Sequence, residues 1–146
     1  MRDVPLKSSL SRLAVMVLLA LLSGESSHFI VGRASATEVT TAGFQTITSE
    51  DLVQMLQHKD FVLVNVHIPY EGEIASTDVF IPFDQIAGNL DKLPADKTAK
   101  IVLYCRSGRM SEIAATTLAS LGYTNVDHLA GGMNGWAAAG QPLLHK

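Results

Sequence analysis

Short apolar runs alternate with amphipathic stretches along the chain after residue 43. Residues 61 to 66 and 101 to 103 are apolar runs rich in β-branched side chains, a pattern typical of strands buried on both faces of a parallel sheet. Residues 48 to 56 and 111 to 121 instead place apolar side chains near helical spacing. Because strands alternate with helices, we predict an α/β fold: a small parallel sheet with helices on both faces.

The same patterns predict the remaining elements. Strands are expected at residues 44 to 47, 79 to 81 and 126 to 129, and helices at residues 83 to 90 and 133 to 139. Either Thr48 or Ser49 is expected to cap the first helix. Residues 67 to 78 are polar and contain glycine, so we predict a loop with three solvated acidic side chains, those of Glu71, Glu73 and Asp78.

The N-terminal region differs in composition from the rest. Three basic residues precede an apolar run at residues 13 to 22, which is too short for a typical membrane span, and Ala34-Ser35-Ala36 follows it. This order predicts a secretory signal peptide at residues 1–36 and an exported domain, periplasmic or extracellular, at residues 37–146. The alternative is an uncleaved segment that anchors the domain to a membrane.

Overall composition excludes several classes of function. A net charge of −3, a pI near 5.9 and the lack of a glycine-rich nucleotide loop argue against nucleic acid as a partner. The five histidines lack metal-ligand spacing and only one cysteine is present, so we predict neither a metal nor an organic cofactor. The length suits one domain, which we expect to be a monomer.

The single cysteine, Cys105, lies where a strand is predicted to end and a helix to begin. That edge of an open α/β sheet is where ligands bind. Helix N-terminal amides, the helix dipole, and the guanidinium groups of Arg106 and Arg109 would stabilise a thiolate there, and Gly108 would let the loop curl around an anion. The alternative is a buried, inert cysteine, but the burial of an inert side chain does not require a neighbouring glycine and two arginines.

Other cysteine chemistries fit less well. A Cys-x5-Arg phosphatase or arsenate reductase needs arginine at position 111, where the chain has Ser111, and a thioredoxin-like enzyme needs a second cysteine. A cysteine protease stays open, with His67 or His128 as base, although an arginine-rich loop suits an anion better than a peptide carbonyl. His67 is otherwise expected to be a partly exposed loop residue.

Residues 104 to 111, Tyr-Cys-Arg-Ser-Gly-Arg-Met-Ser, resemble the active-site loop of single-domain rhodaneses, in which Cys-Arg-Ser-Gly-Asn-Arg is commonly followed by Ser. Residues 122 to 126 and the Gly-Gly-x-x-x-Trp segment at residues 129 to 136 are similar to the family's closing strand and last helix. The resemblance covers residues 45 to 143. It implies a catalytic cysteine and a substrate-binding loop: Cys105, then Arg106, Ser107, Gly108, Arg109 and Met110.

Three departures from the family pattern bear on substrate recognition. Met110 stands where the family often has arginine, and Asn65-Val66-His67 replaces Asp-Val-Arg. Residues 72 to 78 replace the usual Gly-His-Ile-Pro-Gly-Ala. We expect these changes to alter the ion pairs around the site and the choice of donor, while the nucleophile is kept.

The resemblance implies a sulfurtransferase. Cys105 would take a sulfane sulfur from thiosulfate or a similar anionic donor and pass it, as a persulfide, to cyanide or a thiol. Two alternatives remain at this point. One is a non-catalytic binding or sensing module on the same fold, and the other is a sulfur carrier that delivers its persulfide to a partner.

Overall fold

The computed structural model describes residues 43–145. The predicted signal peptide at residues 1–36 lies outside the described residues. Within residues 43–145, no helix is long and apolar enough to cross a membrane. The described part has seven strands and three α-helices, with two 3₁₀ helices between the fourth and fifth strands.

The strands and helices have the following bounds. The strands are β1 Gln45–Ile47, β2 Val62–Asn65, β3 Glu73–Ile74, β4 Val79–Phe80, β5 Ile101–Tyr104, β6 Val126–Leu129 and β7 Leu143–Leu144. The α-helices are α1 Ser49–Gln57, α2 Arg109–Ser120 and α3 Gly132–Ala138, and the 3₁₀ helices are Phe83–Gly88 and Leu90–Lys92.

Five strands form one parallel sheet in the order β1-β6-β5-β2-β4. β5 lies at its centre, with Leu103 opposite Val64 of β2 and His128 of β6. Because all five strands run the same way, their carboxyl ends meet at one edge. Cys105 follows β5 directly, so the sheet places it in the middle of that edge.

Helices cover both faces of the sheet, as predicted. On one face, α2 and the first 3₁₀ helix pack against side chains such as Val64, Leu103 and Val126. On the other, α1 and α3 pack against the alternate set, which includes Leu63 and Val102. Each face buries apolar surface worth about 1.5–3 kcal/mol per fully buried large side chain.

Local sequence explains where α1 begins. Thr48 Oγ1 accepts from the Asp51 N–H at 3.1 Å, and Asp51 Oδ2 accepts from the Thr48 N–H at 2.9 Å. This reciprocal capping box satisfies amides that the helix itself cannot pair. Of the two caps that the sequence allowed, Thr48 is the one used.

The helical stretch predicted at residues 83 to 90 is present as 3₁₀ helix rather than α-helix. The chain forms two 3₁₀ turns there, whose bonds include Gln85 N–H to Pro82 and Asn89 N–H to Ile86. Gly88 and Asn89 are poor formers of α-helix, and they stand where the two turns meet.

Residues 67 to 78 are not entirely a loop. β3, within them, pairs antiparallel with β7, so that Ile74 lies opposite Leu143. β3 and β7 have no counterpart among the predicted strands, because their pairing joins segments far apart in the chain.

Small side chains make up most of the buried face of α2. The buried residues follow the i, i+3, i+4, i+7 pattern: Ser111, Ala114, Ala115 and Leu118. The apolar Ile113 is exposed.

Candidate active site

Cys105 lies in a closed turn between β5 and α2. Its side chain is buried, with 1% of the residue exposed, and Sγ accepts the Gly108 N–H at 3.0 Å. Gly108 caps α2 with a φ of 102°, a conformation that favours glycine. The turn therefore directs a backbone donor at the sulfur, and the free amides of the first turn of α2 follow directly.

The N-terminal end of α3 supports the other side of this turn. The Met133 and Asn134 N–H groups donate to the carbonyls of Cys105 and Arg106 at 2.8 and 2.9 Å. This contact leaves no room for a side chain at Gly132, where a Cβ atom would lie 2.2 Å from Cys105 O. The paired glycines of the Gly-Gly-x-x-x-Trp segment thus allow α3 to hold the backbone of the nucleophile.

Both loop arginines are exposed at the mouth of the turn. Arg106 is paired: Nη1 lies 3.2 Å from Glu71 Oε2 and 3.3 Å from Oε1. Ser107 and Arg109 are also exposed, whereas Met110 is half-buried and packs against the core beneath α2. The predicted donor-binding residues thus lie in the turn after β5 and in the first two residues of α2, and their contact with a donor stays a prediction.

His128 on β6 links this loop to the edge strand β1. Its Nε2 lies 3.0 Å from Thr46 Oγ1, and its Nδ1 lies 3.3 Å from Ser111 Oγ. Because Ser111 donates to the Gly108 carbonyl at 2.9 Å, its oxygen accepts from Nδ1. Burial lowers the pKa of His128 and favours the neutral ring. The network fixes Gly108, the residue whose N–H faces Cys105.

Asn65 holds the segment that follows β2. Its Nδ2 donates to the Gly72 carbonyl at 2.9 Å, while its Oδ1 accepts from the His67 N–H at 3.0 Å. An aspartate, usual in rhodaneses at this position, would place a carboxylate oxygen against the Gly72 carbonyl. The amide is therefore matched to the conformation of this chain.

Tyr104, directly before the cysteine, fixes the same segment farther on. Its Oη accepts from the Ile74 N–H at 3.0 Å and lies 2.7 Å from Thr77 Oγ1. Since the Thr77 hydroxyl donates to the Ile74 carbonyl at 2.6 Å, the phenol donates to Thr77. Burial raises the pKa of Tyr104 to about 12, so the phenol keeps its proton.

One sequence expectation about residues 67 to 78 is wrong, and another is incomplete. His67 is buried rather than partly exposed, and its Nε2 lies 3.1 Å from Glu71 Oε2. The two groups are in contact, but the geometry is not aligned for a hydrogen bond. The acidic side chains also have partners within the protein. Asp78, for example, accepts from Lys59 Nζ at 2.6 Å and from the Leu63 N–H at 2.7 Å.

The histidine partners weigh against a protease. Across residues 43–145, Sγ of Cys105 accepts from Gly108, and no histidine nitrogen bonds to it. His128 has Ser111 and Thr46 as partners, and His67 faces Glu71.

Residues 43–145 contain no cluster of three or more metal-binding side chains.

Comparison with known proteins agrees with this geometry. The family model of the rhodanese-like domain matches residues 48–139. A sulfurtransferase of Allochromatium vinosum is 35% identical over 102 residues, covering 67% of this chain and 92% of that protein. A probable adenylyltransferase/sulfurtransferase of Mycobacterium tuberculosis is 36% identical over 66% of this chain.

Some relatives are longer than the matched region. The chain spans 26% of the Mycobacterium protein and 60% of an uncharacterised Synechocystis protein, which is 33% identical over 76% of this chain. A solved structure, a rhodanese-like domain protein from Staphylococcus aureus, is 27% identical with a TM-score of 0.58 and is covered over 97% of its length. The matched model, the relatives and the shared architecture show that the chain belongs to the rhodanese-like domain family.

Proposed function

We propose that the chain is a sulfurtransferase that uses a Cys105 persulfide. The Cys105 thiolate attacks the outer sulfur of thiosulfate or a similar anionic donor, so an S–S bond forms as the donor's S–S bond breaks. Its electron pair leaves with sulfite. Cyanide or a thiolate then attacks the terminal sulfur of the persulfide and regenerates the thiolate.

The observation that carries the proposal is the Gly108 N–H donated to Cys105 Sγ at 3.0 Å. A backbone donor directed at sulfur stabilises the negative charge of the attacking thiolate. The first-turn amides of α2 and the exposed guanidinium of Arg109 offer further positive potential to an anion. No metal or organic cofactor is needed, because the transferred group is sulfur itself.

The burial of Cys105 supports a small donor. Only 1% of the residue is exposed, so a reacting atom has to enter a narrow turn. A terminal sulfur does this more readily than a peptide carbonyl flanked by chain on both sides. The same burial limits contact between the persulfide and water.

We also propose that the domain works outside the cytoplasm. The support is the order of basic residues, apolar run and Ala34-Ser35-Ala36 before the matched domain. Its acceptor there would be a small thiol or cyanide, or a partner protein if the chain is a sulfur carrier.

Steady-state kinetics test the proposed function. A covalent intermediate predicts parallel lines in double-reciprocal plots when thiosulfate and cyanide are varied together. Cys105→Ser should abolish turnover and keep the fold, as checked by circular dichroism. Intersecting lines, or turnover that persists in the serine variant, would show that no Cys105 persulfide lies on the pathway.

A further inference from the structure

Glu71 lies between the active-site loop and a buried histidine. Its Oε2 lies 3.2 Å from Arg106 Nη1, and its Oε1 lies 3.3 Å from the same nitrogen. Oε2 also lies 3.1 Å from His67 Nε2. His67 is buried, so it backs the carboxylate from the protein side. The carboxylate is thereby directed toward the loop that follows Cys105.

This arrangement reduces the positive charge that the loop presents. Of its two guanidinium groups, that of Arg106 already has a carboxylate partner. Met110 adds no charge, and it packs toward the core. Arg109, exposed at the start of α2, is the loop cation for which the structure shows no ion pair among residues 43–145.

We propose that Glu71 makes the site discriminate between sulfur donors by charge, and that the preferred class is a monoanionic sulfane donor rather than dianionic thiosulfate. The inference rests on the proposed function. A dianion approaching Cys105 has to compete with Glu71 for Arg106. Because a dianion has twice the charge of a monoanion, its repulsion by the Glu71 carboxylate is twice as strong at the same distance. A monoanion is held by Arg109 and the loop amides without displacing Glu71.

Two donors that react in the same way but differ in net charge separate the effect of donor charge from that of the reaction. Thiosulfate carries an outer sulfur on a sulfonate, and methanethiosulfonate carries the same sulfur with a methyl group in place of one charged oxygen. In each reaction the Cys105 thiolate bonds to the outer sulfur as the donor's S–S bond breaks. The electron pair leaves with sulfite in the first case and with methanesulfinate in the second, and both yield the same persulfide.

The experiment compares kcat/KM for the two donors in the wild-type chain and in Glu71→Gln. Because the donors differ in intrinsic reactivity, the quantity of interest is the change in their ratio. We expect Glu71→Gln to shift the ratio toward thiosulfate by about two- to fivefold, the range given by an exposed ion pair. The shift should shrink as ionic strength rises.

Asp60→Asn is the matched control. It removes the same charge from an exposed position before β2, at the opposite edge of the sheet from Cys105. The ratio should stay at the wild-type value in this variant. An equal shift in both variants would show a net-charge effect and would contradict a role for Glu71 itself.

A double-mutant cycle tests whether Glu71 acts through the loop arginine. In an Arg106→Gln background, the effect of Glu71→Gln on the ratio should differ from that in the wild-type background, because competition for Arg106 is gone and only direct repulsion of the dianion by Glu71 remains. An unchanged ratio in the single variant, with both donors still loading Cys105, would overturn the inference and leave the proposed function intact. Failure of both donors to load Cys105 in the wild-type chain would instead overturn the proposed function.

Discussion

Gly132→Ala should damage both the fold and the reactive loop. A Cβ atom at Gly132 would lie 2.2 Å from Cys105 O and 2.8 Å from the carbonyl carbon of Arg106, and contacts under 3.0 Å are essentially never seen. Both neighbours are backbone atoms, so the clash cannot be relieved by a rotamer change. The loop or α3 has to move, and the bonds from Met133 and Asn134 are strained or lost.

The cost has two parts that a control variant separates. Gly132 has a φ of 52°, which costs an L-residue roughly 1–2 kcal/mol, and the forced contact adds about 1–3 kcal/mol. Gly140→Ala introduces the same side chain at a φ of 78° with nothing within 4 Å. We therefore expect a loss of about 2–5 kcal/mol for Gly132→Ala and only about 1–2 kcal/mol for Gly140→Ala.

Urea denaturation measures the stability of both variants. Mass spectrometry of samples quenched at successive times measures the rate at which thiosulfate transfers sulfur to Cys105. A shift of the Cys105 carbonyl from 2.2 Å to at least 3.0 Å from the new atom should slow loading by roughly 10²-fold in Gly132→Ala. Loading in Gly140→Ala should stay near wild type. Equal stability losses and equal loading rates in the two variants would refute the steric argument.

Three further predictions concern the residues that hold the site. Asn65→Asp should destabilise the domain by about 1–3 kcal/mol in urea, because it removes the donor to Gly72 and places two acceptors together; unchanged stability at pH 7 would contradict this. Tyr104→Phe should cost about 1–3 kcal/mol and speed hydrogen exchange at the Ile74 amide, which loses its acceptor; an unaltered exchange rate would count against it. Burial lowers the pKa of His128 in the fold, so the unfolded chain binds the proton more tightly; stability should be full above about pH 6.5 and fall as the pH drops below it. His128→Gln should flatten that part of the pH profile, and an unaltered slope would show that another group is responsible.

The parts of the fold that repeat a local pattern could be predicted from the sequence. Apolar runs gave β2 and β5, and the cysteine, glycine and arginines after β5 indicated a strand end followed by a helix start. β6 matches its predicted bounds, Val126–Leu129. These features are local, so each is encoded by a few neighbouring residues.

What could not be predicted depends on contacts between distant segments. The sequence predicts only a solvated Glu71, because its partners, Arg106 and His67, meet it only in the folded chain. The sequence offers His128 only as a possible protease base, and its bonds to Thr46 and Ser111 need three elements to be in place. The polar residues within buried strands, Asn65 of β2 and His128 of β6, are the signal that such networks exist.

The central claim is that Cys105 accepts a sulfur atom, and intact-protein mass spectrometry of residues 37–146 tests it most directly. After incubation with thiosulfate or methanethiosulfonate, we predict a mass gain of one sulfur atom that later cyanide removes and that Cys105→Ser lacks. A folded protein with a free thiol that gains no sulfur from either donor would contradict the claim. That result would favour a non-catalytic binding module on the rhodanese-like fold.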